Sequence, residues 1–135
     1  MNKIRMIALA ACMAATLDAA AQEQEIRLFS HRGGRMEHDE NTLSAFQASY
    51  DAGYRGFETD IRMTRDGALV ITHDSSLERT TDGTGTVEEK TEAEIRRLRT
   101  KQGNKVLFLD ELLEFLEGKE GLYVEFEMKT HPAAL

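Results

Sequence analysis

The sequence predicts an α/β fold of the (β/α)8 TIM-barrel type, represented here by about three β/α units and a β-hairpin excursion. Short apolar runs typical of strands alternate with amphipathic stretches typical of helices, which favours parallel strands. Two of the strand-like runs, FETDIRM and LYVEFEMK, have one apolar face and one charged face. An open doubly wound sheet lies under helices on both faces and needs apolar residues on both. A closed barrel accepts polar groups inside, near its rim, and therefore explains these strands better.

The composition is typical of a folded globular protein. Of the 135 residues, 41% are hydrophobic and 30% are charged, with one Pro and no Trp, which indicates one domain at most. The formal net charge is −7, and no run of Lys or Arg forms a basic stripe. Polyanions are therefore not attracted to this chain, and we expect no nucleic-acid partner.

The N-terminus has the pattern of an export signal. It starts with basic residues, continues as an apolar stretch to about Leu17, and ends in three alanines before Gln22. We interpret residues 1–21 as a secretory signal peptide, which predicts a periplasmic or extracellular protein. Two alternatives stay open: a short first helix of the fold, and a lipoprotein anchored at Cys12, which is less favoured because few apolar residues precede it. Cleavage after residue 21 removes the only cysteine, so disulfides are excluded.

The first elements follow from local patterns. Residues 26–30 form an apolar run that ends in the polar His31-Arg32-Gly33-Gly34, as a strand does when it leads into a loop. The stretch DENTLSAFQASYDAG then predicts a helix, with Asn41 or Thr42 as its cap and Gly53 at its C-terminal end. Next, FETDIRMT and ALVITHD flank Asp66-Gly67, a dipeptide favoured in tight turns, so we predict a β-hairpin.

The second half supplies two helices and a strand. Thr91-Glu92-Ala93-Glu94 fits a capping box and predicts a short helix. Four leucines between residues 109 and 116 recur at helical spacing and predict an amphipathic helix that ends before Gly118. The run LYVEFEMK alternates apolar and polar residues throughout and predicts a strand. No apolar rim or membrane-inserting loop is evident, so we expect no stable membrane insertion.

Charged and titratable residues fall where barrel enzymes carry their chemistry. Glu58 and Asp60 project to the same side of one strand, about 6.5 Å apart along it, and two such carboxylates repel unless a cation neutralises them. A two-residue hairpin loop places His73 opposite Asp60, and a three-residue loop shifts this by one place. Catalytic groups of (β/α)8 barrels lie at the C-terminal ends of strands, where His31 and Glu127 also fall. A solvated strand face with ordinary surface histidines is the alternative.

An ordered set of short motifs resembles the glycerophosphodiester phosphodiesterase family. The match runs from about Ile26 to Lys129, so that residues 22–135 resemble the N-terminal portion of the family's barrel domain. Each motif is weak by itself, whereas the ordered set is highly specific. The motifs are His31-Arg32-Gly33, Glu40-Asn41-Thr42, Glu58-Thr59-Asp60, Thr64-Arg65-Asp66-Gly67, His73-Asp74, Arg79-Thr80-Thr81, Gly83-Thr84-Gly85 and Glu127-Met128-Lys129.

The resemblance implies a barrel with one divalent cation and assigns roles to the motif positions. The implied metal ligands are Glu58, Asp60 and Glu127, whose oxygen atoms suit Ca²⁺ or Mg²⁺. The implied general acid and base are His31 and His73, and the implied phosphate-binding pair is Arg32 with Lys129. Two supporting residues leave alternatives open: Glu40 either orients His31 or only lies in the loop, and Asn41 either supports the site or only caps the helix.

The implied activity is metal-dependent hydrolysis of a small-molecule glycerophosphodiester to glycerol 3-phosphate and an alcohol. A phosphodiester is anionic, so attack on it requires cations, a base for the nucleophile and an acid for the leaving alkoxide. Two other functions stay open. One is a phospholipase of the C or D type that acts on intact lipid, and the other is a truncated, non-catalytic relative that binds a phosphate ester or a metal.

The length of the chain leads to a prediction about its stability. A barrel needs roughly 250 residues, and three barrel strands leave an unpaired edge and an uncovered apolar face. We therefore predict that the chain is the N-terminal part of a longer protein and that by itself it is unstable or aggregation-prone. Size-exclusion chromatography and thermal unfolding of the 135-residue chain test this, and a soluble monomer that melts cooperatively contradicts it.

Overall fold

The computed structural model describes residues 27–130 as a mixed sheet packed against helices. The predicted signal peptide, Cys12 and Ile26 lie outside these residues. All the predicted strands and helices of residues 27–130 are present in the predicted order. They are β1 (Phe29–His31), α1 (Leu43–Asp51), β2 (Gly56–Met63), β3 (Leu69–Ile71), α2 (Glu92–Ile95), α3 (Leu109–Leu116) and β4 (Tyr123–Met128). A 3-10 turn (Val87–Glu89), which was not predicted, precedes α2.

Strand β2 is the centre of the sheet. It pairs in parallel with β1 and with β4, and its far end pairs antiparallel with β3. Because β4 occupies one edge of β2 from Gly56 to Ile61, β1 and β3 share the opposite edge. The spatial order β1, β2, β4 of parallel strands agrees with the predicted barrel strands, and it brings three C-terminal strand ends to one side of the sheet.

The hairpin loop is longer than the two residues predicted. The N–H of Thr64 donates to the carbonyl of Ala68 over 2.8 Å, so three residues, 65–67, form the loop. Gly67 takes its last position with φ +91°, the left-handed conformation that a three-residue hairpin needs there and that glycine adopts without steric cost.

The longer loop shifts the register by one place. The prediction that Asp60 lies opposite His73 is therefore wrong. Thr72 occupies that place and donates its N–H to the carbonyl of Asp60 over 3.0 Å. Strand β3 ends at Ile71, so His73 approaches the sheet from a bend after the ladder and not from within it.

Two apolar clusters hold the elements together. Helices α1 and α3 pack on the apolar face of β2, where Phe46 and Phe57 lie with their rings 5.6 Å apart. A second cluster joins β3 to α2 and the segment before α3, around Val70 and Ile95. Both sets are almost completely buried. The charged face of β2 therefore stands on a rigid apolar support.

The helix starts agree with the sequence prediction. The hydroxyl of Thr42 accepts the N–H of Ala45 over 3.2 Å and caps α1. Thr91 and Glu94 form the predicted capping box of α2. These bonds satisfy N–H groups that the first helical turn leaves without a partner.

Strand β4 leaves apolar side chains exposed. Within residues 27–130 it pairs with β2 alone, and Tyr123, Phe126 and Met128 on it are each more than one third exposed. None of the helices in this range is long and apolar enough to cross a bilayer.

Candidate active site

Three carboxylates meet at the C-terminal ends of the parallel strands. Glu58 and Asp60 lie on β2, and Asp60 is in register with Glu127 of the neighbouring β4. One carboxylate oxygen from each residue lies within 4.8 Å of the others. Asp60 is completely buried, whereas the side chain of Glu127 is 57% exposed. The cluster is therefore buried at Asp60 and open to solvent at Glu127.

One oxygen of each of the two acids on β2 is buried without a hydrogen bond. These oxygens are Oε2 of Glu58 and Oδ1 of Asp60, and buried carboxylates are costly unless paired or bound to metal. Burial, and then the negative charge of Asp60, raise the pKa of Glu58. A divalent cation offsets both the cost of burying these carboxylates and the repulsion between them. An all-oxygen ligand set suits Ca²⁺ or Mg²⁺. The residues present thus fit one such ion.

Two cations already flank the acids. Nε of Arg32 lies 3.2 Å from Oδ2 of Asp60, and Nζ of Lys129 lies 3.4 Å from its Oδ1. Lys129 also pairs with Glu127 over 2.6 Å. This bond is the main cause that lowers the pKa of Glu127, and it raises the pKa of Lys129. Asp60 is therefore the residue that both cations share.

The loop between β1 and α1 has unusual backbone conformations at Arg32 and Asn41. In the described range these are the two non-glycine residues with positive φ, +54° and +56°, a conformation that costs about 1–2 kcal/mol per residue. Two backbone bonds of 2.9 Å fix them: the N–H of Arg32 donates to the carbonyl of Glu58, and the N–H of Asn41 donates to the carbonyl of Arg32. Such conformations persist where the surroundings enforce them and cluster at functional sites.

Asn41 orients the central acid and does not cap the helix. Its Nδ2 donates to Oδ2 of Asp60 over 3.1 Å, and its Oδ1 accepts the hydroxyl of Thr59 over 3.0 Å. Thr42 supplies the cap, so the side chain of Asn41 is free for this contact. The sequence left both roles open, and the structure places Asn41 in the site.

Each of the two histidines pairs with a carboxylate. Nε2 of His31, at the end of β1, lies 3.4 Å from Oε2 of Glu58. Nδ1 of His73 lies 2.6 Å from Oδ1 of Asp74. After the bond from Lys129, the charge of His73 is among the causes that lower the pKa of Glu127.

Asp74 determines which nitrogen of His73 holds a proton. A hydrogen bond from Arg79 is the main cause that lowers the pKa of Asp74 to about 2. The carboxylate is therefore ionised at neutral pH and only accepts hydrogen bonds. Nδ1 of His73 must then donate, which leaves Nε2 as the acceptor nitrogen of the neutral ring.

Comparisons with known proteins identify the family. Residues 31–134 match the model of the glycerophosphoryl diester phosphodiesterase family. The chain belongs to this family. Its member from Caldanaerobacter subterraneus subsp. tengcongensis, a glycerophosphodiester phosphodiesterase, is 34% identical over 110 residues, which cover 76% of this chain and 45% of that relative.

Solved structures of relatives share the fold. A glycerophosphodiester phosphodiesterase from Agrobacterium tumefaciens matches with a TM-score of 0.71 and 34% identity over 77% of this chain and 47% of that one. A phosphodiesterase from Oleispira antarctica, in complex with the product sn-glycerol-3-phosphate, matches with a TM-score of 0.73 and 29% identity over 80% and 46%. The chain spans less than half of the length of these relatives.

From the sequence, Arg79 was only part of a motif and had no assigned role, whereas the structure pairs it with Glu40. Glu40 neither orients His31 nor stands alone in its loop, because it pairs with Nη1 of Arg32 at 3.3 Å and with both terminal nitrogens of Arg79 at 2.7 and 2.9 Å. The same Arg79 also donates to Asp74. The signal was the motif Arg79-Thr80-Thr81, but no periodicity relates two residues 39 positions apart.

We predict that the Asp74 carboxyl depends on Arg79 for its low pKa. Because its folded pKa lies below the ordinary 3.8, Asp74 stabilises the fold above about pH 4, and this contribution is lost as the pH falls towards 2. Carbon NMR of the labelled carboxyl is expected to show no titration between pH 7 and 4 in the unsubstituted chain and a higher midpoint in Arg79→Ala. An unchanged midpoint in Arg79→Ala contradicts this assignment, and Arg96→Ala is the control.

Proposed function

We propose that the protein hydrolyses glycerophosphodiesters to glycerol 3-phosphate and an alcohol with the help of one divalent cation. The observation that carries this proposal is the convergence of three carboxylates within 4.8 Å, two of them with a buried oxygen that has no hydrogen bond, beside two cations. Membership of the family supports it, as does the product complex of the Oleispira antarctica relative.

The charge of the immediate cluster suits this substrate. Three carboxylates beside Arg32 and Lys129 leave one negative charge in excess. One divalent cation changes this to one positive charge, which opposes the single negative charge of a phosphodiester. Complementary charge of this kind stabilises a phosphoryl group as it gains negative charge in the transition state.

Glu58, Asp60 and Glu127 would hold the cation, which polarises a phosphoryl oxygen when it is bound. Arg32 and Lys129 bind the phosphate: Arg32 presents a planar fork of donors, and Lys129 presents a compact charge. Both side chains are already held at the site by Asp60, so little conformational entropy is lost when they bind substrate.

The histidines move the protons. Nε2 of His73 is available because Nδ1 is bonded to Asp74, and Nε2 of His31 reaches Glu58. One imidazole takes a proton from the attacking oxygen and the other gives one to the leaving alkoxide. General acid–base catalysis of this kind contributes about 10²–10⁴-fold to the rate.

We further propose the context in which this site operates. The parallel order β1, β2, β4 and the exposed apolar residues of β4 support an arc that belongs to a closed (β/α)8 barrel. The export pattern of residues 1–21 supports a periplasmic or extracellular location.

The test is release of glycerol 3-phosphate from glycerophosphocholine. We expect release that a chelator abolishes, that added Ca²⁺ or Mg²⁺ restores, and that Glu58→Ala lowers by at least about 100-fold because a cation ligand is lost. Glu114→Gln, which changes an exposed acid of α3, is the matched control and retains activity.

Four results would contradict the proposal. Release that persists in the chelator removes the cation from the mechanism. An equal loss of activity in Glu58→Ala and Glu114→Gln shows that the carboxylate cluster has no specific part in the reaction. Turnover of intact phosphatidylcholine vesicles in preference to glycerophosphocholine indicates a phospholipase, and binding of the ester without turnover indicates a non-catalytic relative.

A further inference from the structure

A continuous chain of paired side chains connects the two halves of the site. From one end to the other the contacts join His73, Asp74, Arg79, Glu40, Arg32 and Asp60. It starts at an imidazole proposed to transfer a proton and ends at the buried acid at the centre of the site. Arg79 is its middle member and the residue that joins its two arms.

The chemistry of the guanidinium group explains why an arginine stands in the middle. Nε of Arg79 donates to Asp74, while its two terminal nitrogens donate to the two oxygens of Glu40 at 2.9 and 2.7 Å. A planar fork of donors holds two carboxylates on two of its edges. An ammonium group carries the same charge on a single atom and cannot reproduce this geometry.

We propose that Arg79 is a positioning residue that orients His73 and Arg32 at the same time. This inference rests on the proposed function, since it assigns those two residues to proton transfer and phosphate binding. Arg79 acts through Asp74 on one side and through Glu40 on the other. We assign Arg79 to positioning because its Nε and both terminal nitrogens bridge two carboxylates of separate segments, Asp74 and Glu40.

The first arm fixes the ring of His73. Asp74 bonds to Nδ1 of His73 with one oxygen and accepts from Arg79 with the other. Without Arg79 the Asp74 carboxylate, which is partly exposed, is free to rotate. Asp74 then no longer holds the Nδ1–H tautomer of His73 or directs its Nε2 at the substrate.

The second arm fixes the guanidinium of Arg32. Its Nη1 lies 3.3 Å from Oε1 of Glu40, the same oxygen that accepts from Nη2 of Arg79 at 2.7 Å. Arg79 thus holds the Glu40 carboxylate in the one orientation that reaches Arg32. Loss of this contact leaves Arg32 attached to Asp60 alone among its charged partners.

The backbone that carries Arg79 is itself anchored. Leu77 and Thr81 on either side are buried, and the hydroxyl of Thr81 donates to the carbonyl of Leu77 over 2.7 Å. The N–H of Leu77 donates to the carbonyl of Gly85 over 3.0 Å. Although the Arg79 side chain is 48% exposed, its position is set by a loop fixed to the core, as preorganisation requires.

The test separates the two arms by their kinetic effects. With glycerophosphocholine as substrate, Asp74→Asn is expected to lower kcat by about 10–100-fold and to leave KM unchanged. Glu40→Gln is expected to raise KM several-fold and to leave kcat unchanged. Arg79→Ala is expected to show both effects, and Arg79→Lys to fall close to Arg79→Ala, because a point charge does not replace the fork.

A second measurement reads the position of His73 without turnover. Nitrogen NMR of labelled histidine is expected to show Nδ1 protonated and Nε2 unprotonated in the neutral ring of the unsubstituted protein, and a mixture of tautomers in Arg79→Ala and Arg79→Lys. The matched control is Arg96→Ala, because Arg96 also joins several carboxylates: Glu92 at 2.7 Å, Asp110 at 3.2 Å and Glu111 at 3.4 Å. It is expected to change neither the kinetics nor the tautomer of His73.

The outcomes distinguish this inference from the proposed function. If the unsubstituted protein releases no glycerol 3-phosphate, the proposed function fails, and the tautomer of His73 still decides whether Arg79 positions it. If Arg79→Lys, with circular dichroism equal to that of the unsubstituted protein, keeps the kinetics and the tautomer, the inference is overturned. It is also overturned if Arg79→Ala raises KM without any change in kcat or in the tautomer, since Arg79 is then a phosphate ligand.

Discussion

The buried carboxylate of Asp60 is the constraint on which the rest of the site depends. It is completely buried, and it is the point where Arg32, Asn41 and Lys129 meet. A charge in this position is costly unless it is paired and hydrogen-bonded, so three separate segments of the chain are held to β2 by one residue. Strand pairing then places Glu127 beside it, and the cluster is complete without any further ordering of loops.

Strand β2 has one apolar face and one charged face, and this division positions the acids. Phe57 and Ile61 anchor β2 in the apolar cluster, and Glu58 and Asp60, which point to the other face of the strand, carry the charges. Parallel neighbours bring their C-terminal ends to the same side. The loops that follow these ends adopt the left-handed conformations of Arg32 and Asn41, and the pairing with Asp60 helps to offset their cost.

The local sequence pattern predicted the charged face of β2 and the helix caps, and the family resemblance predicted the metal and histidine positions. Alternation along β2 placed Glu58 and Asp60 on one face, and the caps at Thr42 and Thr91 were visible as residue types at fixed spacing. The metal and histidine positions came from the ordered motifs, since no spacing relates Glu127 to residues almost 70 positions earlier.

What the sequence did not predict depends on geometry that is not local. The hairpin register follows from one glycine in a left-handed conformation, and the dipeptide Asp66-Gly67 suits loops of two or three residues equally. The contacts of Glu40 with Arg79, and of Asn41 with Thr59, join segments that only tertiary packing brings together. Both pairs surround the site because buried polar groups there must find partners over long sequence distances.

The most direct test of the account is a calorimetric titration of the protein with Ca²⁺ and Mg²⁺. We expect the unsubstituted protein and Glu114→Gln each to bind one ion per chain. We expect Asp60→Asn to lose this binding, because the substitution keeps the shape of the side chain and removes its charge. Binding that survives in Asp60→Asn, or no binding of either ion to the folded protein, contradicts the central claim that these three carboxylates share a cation.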